Sequence, residues 1–330
     1  MNFELCRRTA NLRAISDIVA VSTANIRAAT ITMKTRAEHI PSQPILAGIE
    51  AGGTSFRCAV ATKPTQIVDQ VSFATTQPQE TVQRVQEFFS RFPGLKHLGL
   101  ATFGPVDLDT GRITDTPKNS WQHFPIQSSL ERLLGLPCAL HTDVAAAALA
   151  EATYGSAAGA LVYITVGTGI GGAAIGGHLD LAHTRPTEMG HLYVPRAIGD
   201  DFAGICPYHG DCVEGLASGP ALAARWHQPP EELAADHPAW TMQTHYLSHL
   251  CLAAMRTLAP EHIILGGGVM QAPQLIERVR RHIQTLLGDY HDQKITVSLP
   301  SLTPDSGLIG ALELAYRAAA VSHTAGIRPS

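Results

Sequence analysis

Residues 45–61 read ILAGIEAGGTSFRCAVA, two apolar runs separated by a turn at Gly52 and Gly53. This pattern predicts a strand, a glycine turn and a second strand. The pattern returns at residues 161–175, which read LVYITVGTGIGGAAI with a turn over 167–172. Alternating strands and helices follow each copy, so the sequence predicts two related α/β lobes with a cleft between them.

The expected lobe boundaries follow from this repeat. We expect an N-terminal lobe over residues 45–152, completed by a helix at about 307–320, then a C-terminal lobe over 153–306 and a tail at 321–330. Residues 1–44 hold six basic and three acidic residues and no continuous apolar segment, which argues against a secretory signal. We expect this extension to be poorly ordered, and a true start at Met33 explains it better than a transit peptide does.

The composition restricts the kinds of partner. The chain has 330 residues with a net charge of −4, and 45% of them are hydrophobic, enough for a large core. We see no basic stripe to suit a nucleic acid and no apolar run of about 20 residues to cross a membrane. Of the six cysteines only Cys206 and Cys212 are close together, which fits a reducing cytosol better than a disulfide framework.

A third glycine cluster follows an apolar run, at residues 266–268. Glycine turns let backbone N–H groups approach an anion, so three of them at strand ends suggest a polyphosphate ligand; the alternative is that they form tight hairpins only. The GTGIGG segment at 167–172 also matches the dinucleotide fingerprint, which requires a following helix. The short run 173–175 is stopped by Gly176 and Gly177, so a hairpin fits there and a nicotinamide-binding helix does not.

Four candidate metal ligands lie close together in the second half. Cys206, His209 and Cys212 fall within seven residues, with Gly210 in the turn, and His191 lies fifteen residues upstream. Two thiolates and two imidazoles suit tetrahedral zinc, and four protein ligands leave no position for water, so the predicted Zn²⁺ is structural. The alternative is a pair of buried thiols and two histidines with other partners.

Taken together, these motifs resemble those of the ROK family of sugar kinases over roughly residues 45–316. Gly48–Thr54 resembles the first phosphate motif of this family, Thr165–Gly172 the second, and Glu188–His191 its E-x-G-H element. Five further segments resemble the bacterial fructokinase branch of the family. They are Thr116-Pro117-Lys118, Trp121, Cys206–Gly215, Ala217–Pro220 and Leu265–Met270.

The resemblance implies an α/β, two-lobed actin-like fold of the duplicated ribonuclease-H type. It also implies transfer of the γ-phosphate of ATP, with Mg²⁺, to a hexose hydroxyl, which in the fructokinase branch gives fructose 6-phosphate. Family members are often dimers, so we expect a homodimer. Glucokinase, mannokinase or broader hexokinase activity are alternatives. A sugar-sensing regulator is another, although such regulators tend to lose the phosphate motifs that this chain keeps.

By this match, Asp143 is the catalytic base that takes the proton of the sugar hydroxyl. Its alternative role is a helix N-cap, because it stands where a predicted strand ends and a helix begins. Thr142, Glu188 and Glu214 match sugar-contacting positions, and Glu50 is a candidate to hold Mg²⁺ through water. The alternative for Glu50 and Glu188 is that they are ordinary solvated charges.

The match also implies the residues that contact ATP. Those facing the β- and γ-phosphates are expected to be Gly52, Gly53 and Thr54 from the first lobe and Thr168 and Gly169 from the second. Those lining the adenosine site are expected to be Gly219, Pro220, Gly266, Gly267, Gly268, Val269 and Met270. Three positions depart from the family pattern: Ser55 replaces a lysine, which removes a cation near the phosphates, and Thr142 and Ala145 replace asparagines.

Overall fold

The computed structural model describes residues 46–176, 185–288 and 295–325, with side chains up to residue 321. All of them belong to one compact unit, Gln43–Ser330. Within this part of the chain, no helix is long and apolar enough to span a bilayer. The extension 1–44, Gly177 and the end of the tail lie outside the described residues, so what the sequence predicts for them stays a prediction.

The first lobe is built on a mixed sheet of five strands. These are β1 (Leu46–Ala51), β2 (Ser55–Lys63), β3 (Gln66–Ala74), β4 (Leu98–Thr102) and β7 (Cys138–Thr142), in the spatial order β3-β2-β1-β4-β7. The first three form an antiparallel meander, and β4 and β7 run parallel to β1. A separate small hairpin of β5 (Val106–Asp107) and β6 (Arg112–Ile113) has no counterpart among the predicted elements.

The second lobe repeats this arrangement with fewer strands. Its sheet has β8 (Leu161–Val166), β9 (Ile170–Ile175), β10 (His262–Gly266) and β11 (Thr296–Ser298) in the order β11-β10-β8-β9. β8 and β9 are antiparallel, whereas β10 and β11 are parallel to β8. The order matches β7-β4-β1-β2 of the first sheet, which agrees with the duplication predicted from the glycine turns. Strand β9 begins at Ile170, earlier than predicted, so only residues 167–169 form the turn.

Eight α-helices connect and cover the described strands. They are α1 (Pro78–Phe89), α2 (Ile126–Leu134), α3 (Asp143–Tyr154), α4 (Val213–Ala217), α5 (Gly219–Trp226), α6 (Ala239–Leu258), α7 (Leu275–Leu287) and α8 (Ser306–Ala325). Helices α1 and α2 bury their apolar faces with Phe56, Phe73 and Trp121 in the core of the first lobe. Helices α6 and α7 do the same around β8 and β10 in the second lobe.

Helix α3 packs on both sheets because its side chains are small. Residues 144–150 of α3 are all buried, and the helix packs against α8, β4, β8 and β9. A Cβ at Gly310 of α8 would lie 1.9 Å from the carbonyl oxygen of Ala146, so the backbones of α3 and α8 touch. Helix α8 also packs on β1, β2 and β4 of the first sheet. The division into lobes at residue 152 stays a prediction.

Candidate active site

A cleft of about 560 Å³ lies where the two halves of the chain meet. Glu50 of β1 and Asp143 of α3 line it from the first half. Thr165, Gly267 and Gly268 line it from the second half, and the segment leading into α8 contributes the rest of the wall. Two carboxylates from the first half and glycine backbone from the second half therefore face one space.

Asp143 is held at the junction of β7 and α3. The N-cap of α3 is Thr142, whose Oγ1 accepts a hydrogen bond from the backbone N–H of Ala145 at 3.3 Å. The alternative role of Asp143 as the N-cap is therefore wrong. Its Oδ1 instead accepts a hydrogen bond from the N–H of Val144 at 2.8 Å, which fixes the carboxylate at the first turn of the helix. Thr142 is only 7% exposed and its hydroxyl is engaged in the cap, so it helps to position Asp143.

The cleft changes the acidity of Asp143. Burial, together with the negative charge of Glu50, raises the pKa of Asp143 to about 7, against the opposing hydrogen bond from Val144. A carboxyl group whose pKa lies near neutrality can both accept and release a proton at neutral pH, which is the property required of a general base.

Glu50 is anchored in the cleft wall by an arginine. Nη1 of Arg57 donates to Oε2 of Glu50 at 3.0 Å, and Nη2 of Arg57 pairs with Asp305 just before α8. Burial raises the pKa of Glu50, and the positive charge of Arg57 opposes that shift. The side chain of Glu50 is 24% exposed, so it is not an ordinary solvated charge at a strand end.

The two predicted phosphate turns meet. Oγ1 of Thr54, in the turn between β1 and β2, lies 3.3 Å from Oγ1 of Thr168, in the turn between β8 and β9. The first turn is closed by the N–H of Gly52 donating to the carbonyl of Ser55 at 2.9 Å. The second turn is closed by a 2.9 Å hydrogen bond from the N–H of Gly167 to the carbonyl of Gly169. A single polyphosphate bound alongside the two turns could therefore contact both.

Two further glycines of the predicted ATP site pack against the second turn. The N–H of Gly219 donates to the carbonyl of Gly167 at 2.8 Å. Gly267 has a φ of +91°, and a Cβ there would lie 2.3 Å from the carbonyl oxygen of Val166, so this position requires glycine. Pro220 is exposed at the start of α5.

The remaining residues of the predicted adenosine site differ in the space around them and in their burial. Gly266 faces the ring of Tyr163, whose Oη would lie 2.2 Å from an added Cβ, whereas Gly268 has open space at that position. The side chains of Val269 and Met270 are buried in the core of the second lobe. Only the backbone of these two residues is therefore available to a nucleotide.

The two predicted sugar-contacting glutamates lie near the second turn and the zinc ligands. Oε2 of Glu214 accepts a hydrogen bond from the N–H of Ile170 at 2.8 Å, so this side chain supports the phosphate turn. Oε2 of Glu188 lies 3.9 Å from Nε2 of His191. Burial raises the pKa of Glu188, the charge of His191 lowers it, and the charge of Glu214 raises it.

The four predicted zinc ligands converge. One ligand atom from each of His191, Cys206, His209 and Cys212 lies within 4.8 Å of the others. Nδ1 of His191 lies 3.5 Å from Sγ of Cys212, and Sγ of Cys206 lies 3.7 Å from Nδ1 of both histidines. Zinc bonds of about 2.3 Å to sulfur and about 2.0 Å to nitrogen put tetrahedral N and S ligands about 3.6 Å apart, so the four side chains fit zinc.

A tight turn holds these ligands in place. The N–H and C=O of Cys206 both pair with Gly210, at 3.1 and 2.9 Å, and Gly210 has a φ of +63°. Cys212 then directly precedes α4, which carries Glu214. The position of the predicted zinc-binding loop is therefore linked through the chain to a predicted sugar contact.

Comparison with known proteins decides the family. The model of the ROK family matches residues 46–318. The chain belongs to the ROK family. Two ROK-like relatives are the fructokinase of Lactococcus lactis subsp. cremoris, 39% identical over 81% of this chain and 96% of its own length, and that of Streptococcus mutans, 36% identical over 82% and 97%. The chain is accordingly a sugar kinase of this family.

Solved structures of ROK proteins show the same fold. The ROK hexokinase of Thermus thermophilus is 27% identical, with a TM-score of 0.69 over 84% of this chain and 99% of its own. The two-lobed actin-like fold predicted from the sequence is therefore confirmed.

The sequence alone did not indicate what Lys118 of this ROK chain does. A Cβ at Gly53 would lie 3.8 Å from Cε of Lys118, so the lysine lies over the first phosphate turn. Lys118 forms no ion pair with another described residue, and it places a positive charge beside this turn. The Thr116-Pro117-Lys118 segment is visible in the sequence, but no spacing rule connects it to a turn some sixty residues earlier.

Proposed function

We propose that the chain transfers the γ-phosphoryl group of ATP to the 6-hydroxyl of D-fructose, with Asp143 as the general base. The observation that carries this proposal is that Asp143 and Glu50 line one cleft with Thr165, Gly267 and Gly268 of the second half. The contact between Thr54 and Thr168, which joins the turns of the two repeats, also supports it. The choice of fructose is supported by identities of 36% and 39% to two fructokinases, against 27% to the Thermus hexokinase.

The chain's own residues divide the work of the reaction. Asp143 takes the proton from the attacking sugar hydroxyl, and its raised pKa suits a base working near neutral pH. Backbone N–H groups of the turns at Gly52–Thr54 and Thr168–Gly169 hold the phosphates, and Lys118 neutralises their charge. The contacts of ATP with Gly219, Pro220 and residues 266–270 are part of the same proposal.

Two metals belong to this proposal. Bound Mg²⁺ would neutralise the charge of the β- and γ-phosphates, and Glu50 is the carboxylate that would hold it through water. Structural Zn²⁺ would be held by His191, Cys206, His209 and Cys212, and its binding would stabilise the loop that leads to Glu214. Glu188 and Glu214 would accept hydrogen bonds from sugar hydroxyls.

The proposal also covers the oligomeric state, the cellular location and the partners of the enzyme. A homodimer follows from the family resemblance, and a cytoplasmic location follows from the cysteine usage. We expect no nucleic-acid or membrane partner for the enzyme.

The test is ADP release in the presence of Mg-ATP and, separately, fructose, glucose and mannose. We expect the highest kcat/KM with fructose and a product phosphorylated at the 6-position, identified by ³¹P and ¹³C NMR. A higher kcat/KM for glucose or mannose would contradict the fructose assignment and leave the hexokinase assignment intact. Saturable sugar binding without turnover of any of the three would instead support a sugar-sensing role.

A further inference from the structure

Three histidines form a second cluster in the second lobe. His245 and His249 lie one turn apart on α6, and His282 lies on the neighbouring α7. One ring nitrogen from each lies within 4.8 Å of the others. The ring centroids are 4.5 Å apart for His245 and His249, and 6.0 and 6.4 Å from these to His282. None of the three belongs to the cleft or to the Cys206–Cys212 loop.

The hydrogen bonds of these rings leave lone pairs without partners. Nε2 of His245 lies 2.8 Å from the carbonyl oxygen of Pro195, to which it can only donate, so Nδ1 carries the lone pair. Nε2 of His282 is buried and has no hydrogen-bond partner among the described residues. A buried polar atom without a partner is unfavourable, so a ligand that binds it would stabilise the fold.

The electrostatic environment favours the neutral form of His249 and His282. Burial and the neighbouring imidazoles lower the pKa of both His249 and His282, and the charge of Arg256 lowers that of His249 further. Within the part of the chain that the structure describes, no carboxylate forms an ion pair with any of the three. Neutral imidazole is the form that coordinates metals, whereas a cluster built for ion pairing would include a carboxylate.

We propose that His245, His249 and His282 form a second metal site, which binds a divalent transition metal ion such as Zn²⁺ or Ni²⁺. Two histidines at positions i and i+4 on one helix face, joined by a third from a neighbouring helix, supply three nitrogen ligands. Three protein ligands leave a coordination position for water. Tetrahedral nitrogen ligands lie about 3.4 Å apart, so small rotations of the rings complete the geometry.

We expect metal binding to stabilise the packing of two helices. The metal would join α6 to α7, the two helices that cover the second sheet. The carbonyl of Pro195 would keep the ring of His245 oriented, in the way that outer contacts orient metal-binding histidines. Pro195 lies four residues after His191, so the site also fixes the segment that follows the Glu188–His191 turn. Because the cluster does not line the cleft, the metal takes no part in the chemistry.

The test is titration of untagged, full-length protein, loaded with one equivalent of Zn²⁺ per chain, with Ni²⁺ by calorimetry. We expect one Ni²⁺ per chain, with binding at least about tenfold weaker in His249→Gln and in His282→Gln. His227→Asn is the matched control, because His227 is exposed with a φ of +54°, a conformation that asparagine accepts. Cys206→Ser should keep the Ni²⁺ site, which separates it from the proposed zinc loop.

Two outcomes of the titration would contradict the proposed metal site. Wild-type affinity in His282→Gln would mean that α6 alone chelates the metal, and equal losses in His227→Asn would mean nonspecific binding; either result overturns the site. If a glutamine variant does not fold, anomalous scattering from a Ni²⁺-soaked crystal of the wild type decides. A peak between the three rings supports the site and its absence rejects it.

Discussion

Replacing Asp143 with asparagine should change catalysis and stability in opposite directions. The amide has nearly the shape of the carboxyl group and can still accept the hydrogen bond from Val144. It cannot take a proton from a sugar hydroxyl, and it carries no charge to be desolvated. We therefore expect Asp143→Asn to lose activity by a factor of about 10² to 10⁴ while the folded state becomes more stable above neutral pH.

The size of the stability gain follows from the pKa of Asp143. The pKa is 3.8 for an unperturbed side chain and about 7 in the fold, so between these values the folded state holds a proton that the unfolded state has lost. Stability therefore falls as pH rises from about 4 to about 7 and is constant above that range. At about 1.4 kcal/mol per pH unit the full penalty is about 4 kcal/mol, and solvent in the open cleft reduces it to about 2 kcal/mol.

Chemical denaturation at pH 8 and at pH 4, together with steady-state kinetics, measures both effects. We expect Asp143→Asn to gain about 2 kcal/mol in the free energy of unfolding at pH 8 and nothing at pH 4. Asp236→Asn is the control, because Asp236 is exposed and should change neither quantity. Wild-type turnover would remove Asp143 from its catalytic role, and a loss of stability at pH 8 would refute the argument from burial.

The other predictions concern the groups around Asp143. Glu50→Gln removes a negative charge that raises the pKa of Asp143, so the acidic limb of kcat/KM against pH should move to lower pH; an unmoved limb would exclude that coupling. Lys118→Met should lower kcat/KM for Mg-ATP by about 10- to 100-fold, with a smaller loss in Lys118→Arg, and equal KM values for ATP in all three proteins would contradict its phosphate contact. Cys206→Ser should release zinc and lower the Tm, and atomic spectroscopy showing unchanged zinc would contradict the loop site.

The sequence predicted those parts of the fold that local patterns encode. Strand β7 ends and helix α3 begins at the junction predicted at Asp143, because a buried apolar run is followed there by an alanine-rich helix. Glycine turns flanked by apolar runs also predicted the hairpins of both sheets. The short helices α4 and α5 were not predicted, because the glycines and proline around them are typical of loops.

Contacts between distant residues could not be predicted in the same way. Arg57 pairs with Asp305, and Lys118 covers Gly53, only because helix α8 and the segment after β6 fold back onto the first hairpin. The pKa of Asp143 likewise depends on burial by other elements. Motif spacing singled out four side chains that converge, His191, Cys206, His209 and Cys212, because three of them lie in one short loop. The histidine cluster of α6 and α7 instead needs the packing of two helices.

The proposed zinc loop contacts segments from both halves of the chain, so a metal bound there would affect the sugar site without taking part in the chemistry. Oη of Tyr208, inside the loop, donates to the carbonyl of Asp115 in the first half at 3.3 Å. At the other end of the loop, Glu214 supports the second phosphate turn through Ile170. A loop without metal would release both contacts and the ring of His191 beside Glu188. Because Glu188 and Glu214 are the proposed sugar contacts, we expect the loss of zinc to weaken sugar binding.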